Sequence, residues 1–231
     1  PYTYTVASSH VNRPVNYVSW GDAARFANWL HNGQPTGVQG LSTTEDGAYY
    51  LNGATSDAAL LAVNRQSDWK WAITSEDEWY KAAYYDPATE TYFNYPTGGD
   101  GVPSNDLINP DPGNNANFYQ SGYTIYDPYF RTEVGEFENS DSPYGTFDQG
   151  GNVWEWNEAI LSGSFRGLRG GSFYFSYDFD FLHASFRHGS YPTSESSYIG
   201  FRVSEVPEPG SMALLALGVV GMFRRRWNVR G

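Results

Sequence analysis

The chain has 231 residues, which is enough for one domain with a substantial core and a tail. Aromatic residues make up 18% of the chain and the formal net charge is −12. This charge argues against nucleic acid and anionic membrane surfaces as partners. Cysteine is absent, which excludes disulfides, thiolate metal sites and thiol nucleophiles together.

Residues 1–18 alternate loosely between apolar and polar positions and predict a strand that enters a loop at Pro14. The sequence begins without Met and without a recognisable signal peptide. We therefore expect that residues upstream of Pro1 are missing from this sequence.

Two helices are predicted from capping signals followed by apolar residues at helical spacing. Ser19 and Asp22 have the spacing of a capping box, and the apolar pattern predicts a helix over 20–31. Ser75 and Glu78 repeat the signal before a second helix over 76–85. Both helices are interpreted as scaffold.

Between and beyond these helices the regular patterns are short. A strand is predicted at 48–51 and another at 69–73. From 87 to 150 the chain is rich in Pro, Gly, Asn and Asp and shows little periodicity. A long irregular stretch in a compact domain is usually functional or held by something else, and calcium is a plausible organiser.

The run 150–156, Gly-Gly-Asn-Val-Trp-Glu-Trp, combines two indoles with a carboxylate in one extended segment. In a strand, Trp154 and Trp156 share one face while Glu155 points to the other. Taken alone, the run favours two core indoles and a structural acid, and the alternative is a cation site at Glu155.

The region 166–203 begins with a predicted strand and turn in which Arg169 is a buried ion-pair partner. A further strand is predicted over 173–181. The segment mixes rigid aromatics with small polar groups, a combination typical of antibody paratopes and suited to sugars. The alternative is that half of its aromatics are core. The predicted ligand-binding residues are Tyr174, Tyr177, Asp178, Asp180, His183, Ser185, Arg187, His188 and Tyr191.

The composition changes after Ser204, where a Pro-Glu-Pro run leads into an apolar stretch and three arginines. The apolar stretch is shorter than the roughly 20 residues that a free-standing spanning helix needs. We expect transient membrane contact through 211–223, with the basic end on the cytoplasmic side.

Five motifs in order resemble the formylglycine-generating enzyme (sulfatase-modifying factor) family, whose fold is a variant of the C-type lectin fold. The resemblance extends to about Ser204 and implies a loop-rich α+β domain over 1–205, with short strands and two main helices. The motifs are Val15–Ala24, Ile73–Trp79, Gly150–Trp156, Leu168–Phe173 and Gly200–Val203.

The same resemblance implies two structural calcium sites and, in catalytic members, a copper site made by two cysteines. The copper positions correspond here to Phe179 and Ala184, so no copper is expected. The first implied calcium site is Asn117, Phe118, Asp127 and Tyr129, and the second is Gly151, Asn152, Val153 and Glu155.

The segment 206–231 resembles the PEP-CTERM sorting signal. This resemblance implies export, processing by an exosortase-type enzyme, and a location at the cell surface or in the extracellular matrix of a Gram-negative bacterium.

These observations predict an exported, non-catalytic protein that binds an extracellular polysaccharide or a surface protein. Two alternatives stay open at this point. One is an oxidase of altered mechanism, and the other is a structural subunit that assembles with itself.

Overall fold

The computed structural model describes residues 7–174 and 179–206, so the tail over 207–231 lies outside it. Tyr177 and Asp178 of the predicted ligand-binding set also lie outside the described residues. Within the described part, the elements are a 3-10 turn at Ser8–His10, α1 Trp20–His31, α2 Asp57–Leu61, β1 Trp71–Ile73, α3 Glu76–Tyr84, β2 Tyr85–Asp86, β3 Thr91–Tyr92, β4 Trp154–Leu161, β5 Phe165–Arg169, a 3-10 turn at Phe179–Leu182, β6 His188–Ser190, β7 Ile199–Phe201 and β8 Val203–Glu205.

The two main helices begin at the predicted capping boxes. The Ser19 hydroxyl accepts from the Asp22 backbone N–H at 3.1 Å, and the Asp22 carboxylate accepts from the Ser19 N–H at 2.9 Å. Ser75 and Glu78 make the same reciprocal pair at 3.1 and 2.7 Å. Each box satisfies backbone donors that a helix start leaves unpaired, so both predicted starts are confirmed.

Strand β4 is at the centre of the main sheet. It pairs antiparallel with β5 and parallel with β7, and β6 pairs with the outer edge of β5. The strand order is therefore β6-β5-β4-β7, while β1 pairs with β8 and β2 with β3 in two small separate sheets. The predicted loop-rich α+β architecture with short strands is confirmed.

The two indoles of the central run are core residues. Trp154 and Trp156 are almost completely buried in one cluster with Trp20 of α1. The Trp156 indole N–H donates to the Val18 carbonyl at 3.0 Å, and the Trp20 indole donates to the Asn157 carbonyl at 3.1 Å. These contacts fasten α1 to the central strand and satisfy the polar end of each buried indole.

One predicted strand is wrong over its described residues, and another is wrong over its whole length. Residues 1–6 of the strand predicted over 1–18 lie outside the described part of the chain. The described remainder contains a 3-10 turn, closed by the His10 N–H on the Ala7 carbonyl at 2.8 Å, instead of a strand. At 48–51 the structure has one isolated bridge, between Tyr49 and Arg65. The Asn28 side chain takes both backbone groups of Tyr49 at 2.8 Å each, so those two groups are not available to a further strand.

A buried carboxylate, Asp111, organises part of the long irregular stretch after α3. It accepts from the backbone N–H groups of Gly113 and Asn139 and from the side chains of Asn115 and Ser140, at 2.5 to 3.1 Å. Burial alone would raise the pKa of Asp111, but the hydrogen bonds, led by the one from Asn115, hold this pKa below its ordinary value.

Candidate functional site

The structure does not place the described members of the predicted ligand-binding set on one surface element. Asp180 lies in the 3-10 turn, where a strand was predicted, and the turn packs Leu182 into the core. The His183 ring and the Ser185 hydroxyl share a hydrogen bond at 2.9 Å. The strand prediction over 173–181 is therefore wrong at 179–181. A 3-10 turn occupies these residues and buries the side chain of Leu182.

The C-terminal members of the set contact other elements. Arg187 pairs with Glu76 at the start of α3. The His188 ring on β6 lies 5.2 Å from the Trp154 ring, and burial lowers the pKa of this imidazole. Tyr191 is 52% exposed beyond the end of β6. Each of these residues therefore belongs to a different local environment.

Two members of the set line cavities: His188 lines a small one with Trp154, Phe181 and Phe186, and Tyr174 lines a larger one. Its ring is 42% exposed and stacks on Tyr198, with ring centroids 5.3 Å apart and planes 10° apart. The cavity has a volume of about 330 Å³ and lies between segments that are distant in sequence. Its walls come from 16–17, 123, 128–131, 173–174 and Ser197.

Aromatic rings dominate the cavity wall and pack on one another. The Phe130 and Phe173 rings stack at 5.7 Å, and the Tyr123 ring meets Phe130 edge-on at 5.0 Å. Asn16, whose side chain donates to the Ser197 carbonyl at 2.7 Å, adds polar character. Sequence reasoning named Tyr174 and Tyr129 of this wall and missed the rest, for which the one local signal is the density of tyrosines at 119–129.

Two of the wall residues have unusual backbone conformations. Tyr17 and Phe130 both have φ at +54°, in the left-handed region that bulky residues rarely adopt. The Tyr17 N–H donates to the Ser196 carbonyl at 2.9 Å, which helps to hold this conformation. Such strain is concentrated at binding sites in proteins, where it fixes the direction of a side chain.

Arg169 links the predicted ligand-binding segment to the start of α3. Its guanidinium pairs with Glu76 at 2.6 Å and donates to the carbonyls of Ala184, at 2.9 Å, and Phe186. The side chain is 6% exposed, so the prediction that Arg169 is a buried ion-pair partner is confirmed. This arrangement ties the segment after the 3-10 turn to the start of α3.

The copper chemistry implied by the family does not fit the residues of this chain. Ala184 is 7% exposed, packs beside Trp79 and Tyr84, and has no donor atom on its side chain. Phe179, at the other copper position, has no donor atom either. Cysteine is absent from the whole sequence, so no thiolate pair is available for copper.

The predicted calcium residues from two different sites meet at one place. Asn117 bridges Gly151, and the Asn152 N–H donates to the Asn117 carbonyl at 2.7 Å. Of the other members of the first set, Tyr129 lines the cavity and Asp127 is exposed. The carbonyl of Phe118 accepts from the Asn105 side chain at 3.1 Å.

One buried atom in this place fits a cation. The Asn117 amide nitrogen faces three acceptors, on Phe130, Thr132 and Asn152, which fixes the orientation of the amide. The Asn117 Oδ1 is buried and has no hydrogen-bond partner. An amide oxygen is a good ligand for calcium, so this residue of the first set suits the group that the family implies.

The second set offers its carboxylate to other partners. Glu155 is 6% exposed, and its two oxygens accept from the Arg202 guanidinium at 2.5 and 2.6 Å. The Trp79 indole N–H also donates to Glu155 at 2.5 Å. Val153, which directly precedes β4, is also buried. Within the described ranges, no group of three or more acidic, His or Cys side chains is suited to hold a metal ion.

The described residues form a loop-rich α+β domain with an aromatic cavity, in a chain that lacks cysteine. The chain belongs to the family of the sulfatase-modifying factor enzyme 1-like domain, whose model matches residues 3–206. The predicted family is therefore confirmed.

A PEP-CTERM protein-sorting motif matches residues 205–226. This motif directs export to the cell surface in Gram-negative bacteria and implies processing by an exosortase. The predicted export and the predicted processing enzyme are therefore confirmed. No helix among the residues that the structure describes is long and apolar enough to cross a membrane.

The chain is similar to several known proteins. It is 29% identical over 160 residues to hercynine oxygenase of Mycolicibacterium thermoresistibile, a match that covers 58% of this chain and 32% of that protein. The chain thus spans about a third of the length of this relative.

Two solved structures share the fold. The crystal structure of CarF has a TM-score of 0.60 and 21% identity, with 87% of this chain and 72% of that chain covered. Treponema denticola variable protein 1 has a TM-score of 0.52 and 21% identity, with 89% of this chain and 76% of that chain covered. At this identity the likeness shows the fold alone.

Proposed function

We propose that this exported protein is a non-catalytic binding protein that holds an extracellular glycan in the cavity beside Tyr174. The observation that carries the proposal is the aromatic wall, formed by segments from both ends of the domain. Sugars bind to such walls by placing their C–H faces on rings and their hydroxyls on nearby polar groups.

The size and lining of the cavity support this ligand class. A volume of about 330 Å³ is at the lower end of the range for small-molecule sites, which suits one or two sugar rings. Tyr17 is 61% exposed and Tyr174 42%, so both rings present area to a ligand. Asn16, Ser197 and the Arg131 side chain supply polar atoms at the same wall.

The absence of family chemistry supports a binding role over a catalytic one. The family positions for copper are Phe179 and Ala184, and no cysteine exists elsewhere to replace them. The other described residues of the predicted ligand-binding set do not line the cavity beside Tyr174.

The direct test is a binding screen of the full chain against extracellular polysaccharides, read by calorimetry. Tyr174→Ala and Tyr17→Ala are each expected to weaken binding roughly 10-fold, on the scale of one stacking ring. Tyr191→Ala is the matched control, because Tyr191 is similarly exposed but lies outside the cavity. Equal losses in all three variants, or no glycan bound at all, would refute the proposal; capture of a surface protein alone would replace the glycan with a protein partner.

We also propose that calcium is a structural ligand at Asn117. Its partnerless Oδ1 would coordinate the ion, and Asp127 on the neighbouring loop would supply charge. Excess calcium is expected to raise the melting temperature of the wild type and not that of Asn117→Ala, because a ligand of the native state stabilises it by mass action. Asn64→Ala is the control, because Asn64 is exposed. If chelator leaves the melting temperature unchanged in every variant, the proposal is contradicted.

A second candidate function is an oxidase or oxygenase of altered mechanism, and it is favoured by the similarity to hercynine oxygenase. Oxygen consumption in the presence of iron or copper and a small amine or peptide substrate would support it. If no metal and substrate give oxygen consumption and the protein binds glycan, the first candidate function is supported.

A further inference from the structure

We propose that the glycan held in this cavity is acidic, and that Arg131 is the group that pairs with its carboxylate. This inference rests on the proposed function, because it names the ligand class for the same cavity. The side chain of Arg131 is half-buried in the cavity wall. Its Nη1 donates to the Pro14 carbonyl, which anchors one end of the guanidinium.

Two arginines in the described part of the chain, Arg131 and Arg166, pair with no carboxylate, whereas the others do. The Arg166 guanidinium instead donates to the carbonyls of Leu60, Val63 and Glu158 at 2.5 to 2.7 Å. In the described part of the chain, Arg131 has no acidic partner within ion-pair distance. Its fork of donors is therefore available at the cavity wall.

A second guanidinium, on Arg13, lies next to Arg131. The Arg13 side chain donates to the Arg131 carbonyl and lies 4.3 Å from the centre of the Tyr129 ring. The carboxylate nearest to Arg13, on Glu133, is 3.7 Å away and 46% exposed. Burial first, and then the positive charge of Arg13, lower the pKa of Arg131, so both effects work against an unpaired charge there.

A bound carboxylate would relieve this cost. A planar guanidinium pairs with a carboxylate through two parallel hydrogen bonds, which are stronger than neutral ones. The exposed rings of Tyr17 and Tyr174 line the same cavity and can contact the C–H face of a sugar. A uronic acid carries both features on one ring, since its carboxylate projects from the edge of an apolar C–H face.

The net charge of −12 acts against long polyanions, because repulsion between the chain and a charged polymer extends over about 10 Å at ordinary ionic strength. A short oligosaccharide is therefore the sharper probe. Reducing its carboxylates to alcohols gives a neutral partner with the same ring and linkages.

The test measures the dissociation constants of short oligomers of galacturonic, glucuronic and mannuronic acid, each against its carboxyl-reduced form. The full-length wild type is expected to prefer at least one acidic oligomer by roughly 10- to 100-fold, the effect of one charge-assisted pair. Arg131→Met should abolish the preference and Arg131→Lys should reduce it, because an ammonium lacks the planar fork. Arg187→Met is the matched control, since Arg187 is half exposed and does not line the cavity.

The preference is a ratio measured within one variant, so a general loss of stability does not imitate its disappearance. Equal binding of acidic and reduced oligomers by the wild type would overturn the inference and leave the proposed function in place. Preference for a sulfated sugar over every uronic acid would also overturn it. Failure to bind any glycan, acidic or neutral, would overturn the inference and the proposed function together.

Discussion

Replacing Glu155 with Gln tests whether this carboxylate is an ion-pair partner or a calcium ligand. The substitution keeps the shape and leaves Trp79 an acceptor, but it removes the charge that faces Arg202 at 2.5 and 2.6 Å. Removing one partner of a buried pair costs about 3–5 kcal/mol. The Arg202 side chain is 26% exposed, so water screens part of this loss and we expect about 2–4 kcal/mol.

The assay is urea unfolding followed by tryptophan fluorescence, with excess calcium and again with chelator. A domain of this size has a urea slope of about 2 kcal/mol per M, so the midpoint should fall by about 1–2 M in both conditions. Arg202→Met should also destabilise the protein. The double variant should cost less than the sum by about 1–3 kcal/mol, because the first change has already broken the pair.

Two results would refute this reasoning. One is a loss of less than about 1 kcal/mol in Glu155→Gln, the scale of an exposed pair. The other is a loss that appears with calcium and vanishes with chelator, with additive effects of the two substitutions. That second result would assign Glu155 to calcium.

Three further predictions concern the scaffold. Asp111→Asn is expected to destabilise the domain by about 2–3 kcal/mol, measured by urea unfolding at neutral pH. Folding lowers the pKa of Asp111, so this carboxylate stabilises the fold above its unfolded pKa of about 3.9. The stabilisation is lost as the pH falls through the folded-state pKa. Gly151→Ala should cost more than about 3 kcal/mol of unfolding free energy, since its Cβ would lie 2.2 Å from the Asn117 carbonyl oxygen at a φ of +76°. Arg169→Met should lower the free energy of unfolding by about 3–5 kcal/mol and speed hydrogen exchange over 184–187, because it leaves buried carbonyls unpaired.

Each of these predictions has a control in the same chain. Asp106→Asn removes an exposed carboxylate and should leave the acid midpoint unchanged. Gly145→Ala has a similar φ, +72°, with no atom near its Cβ, so it isolates backbone strain from the steric clash. Arg187→Met removes the exposed partner of Glu76 and should cost less than about 1 kcal/mol. A control that matches its test variant would show that the named contact is not the cause.

Local sequence predicted the elements that short-range chemistry decides. The capping boxes at Ser19 and Ser75 are such cases, because the donor and the acceptor are three residues apart and meet in any helix that begins there. The predicted strand at 48–51 was wrong for the opposite reason. The Asn28 side chain, from α1, takes the ladder groups of Tyr49, and a local pattern contains no sign of this contact.

The sequence by itself determined the family, the sorting tail and the two core indoles, because each depends on short motifs whose residues are adjacent in the chain. Only the tertiary structure decided the cavity and the partner of Glu155. Tyr17, Arg131 and Tyr174 meet there although more than 40 residues separate each from the next, and Arg202 follows Glu155 by 47 residues. Such contacts depend on how the strands cross in the sheet, which no periodicity along the chain encodes.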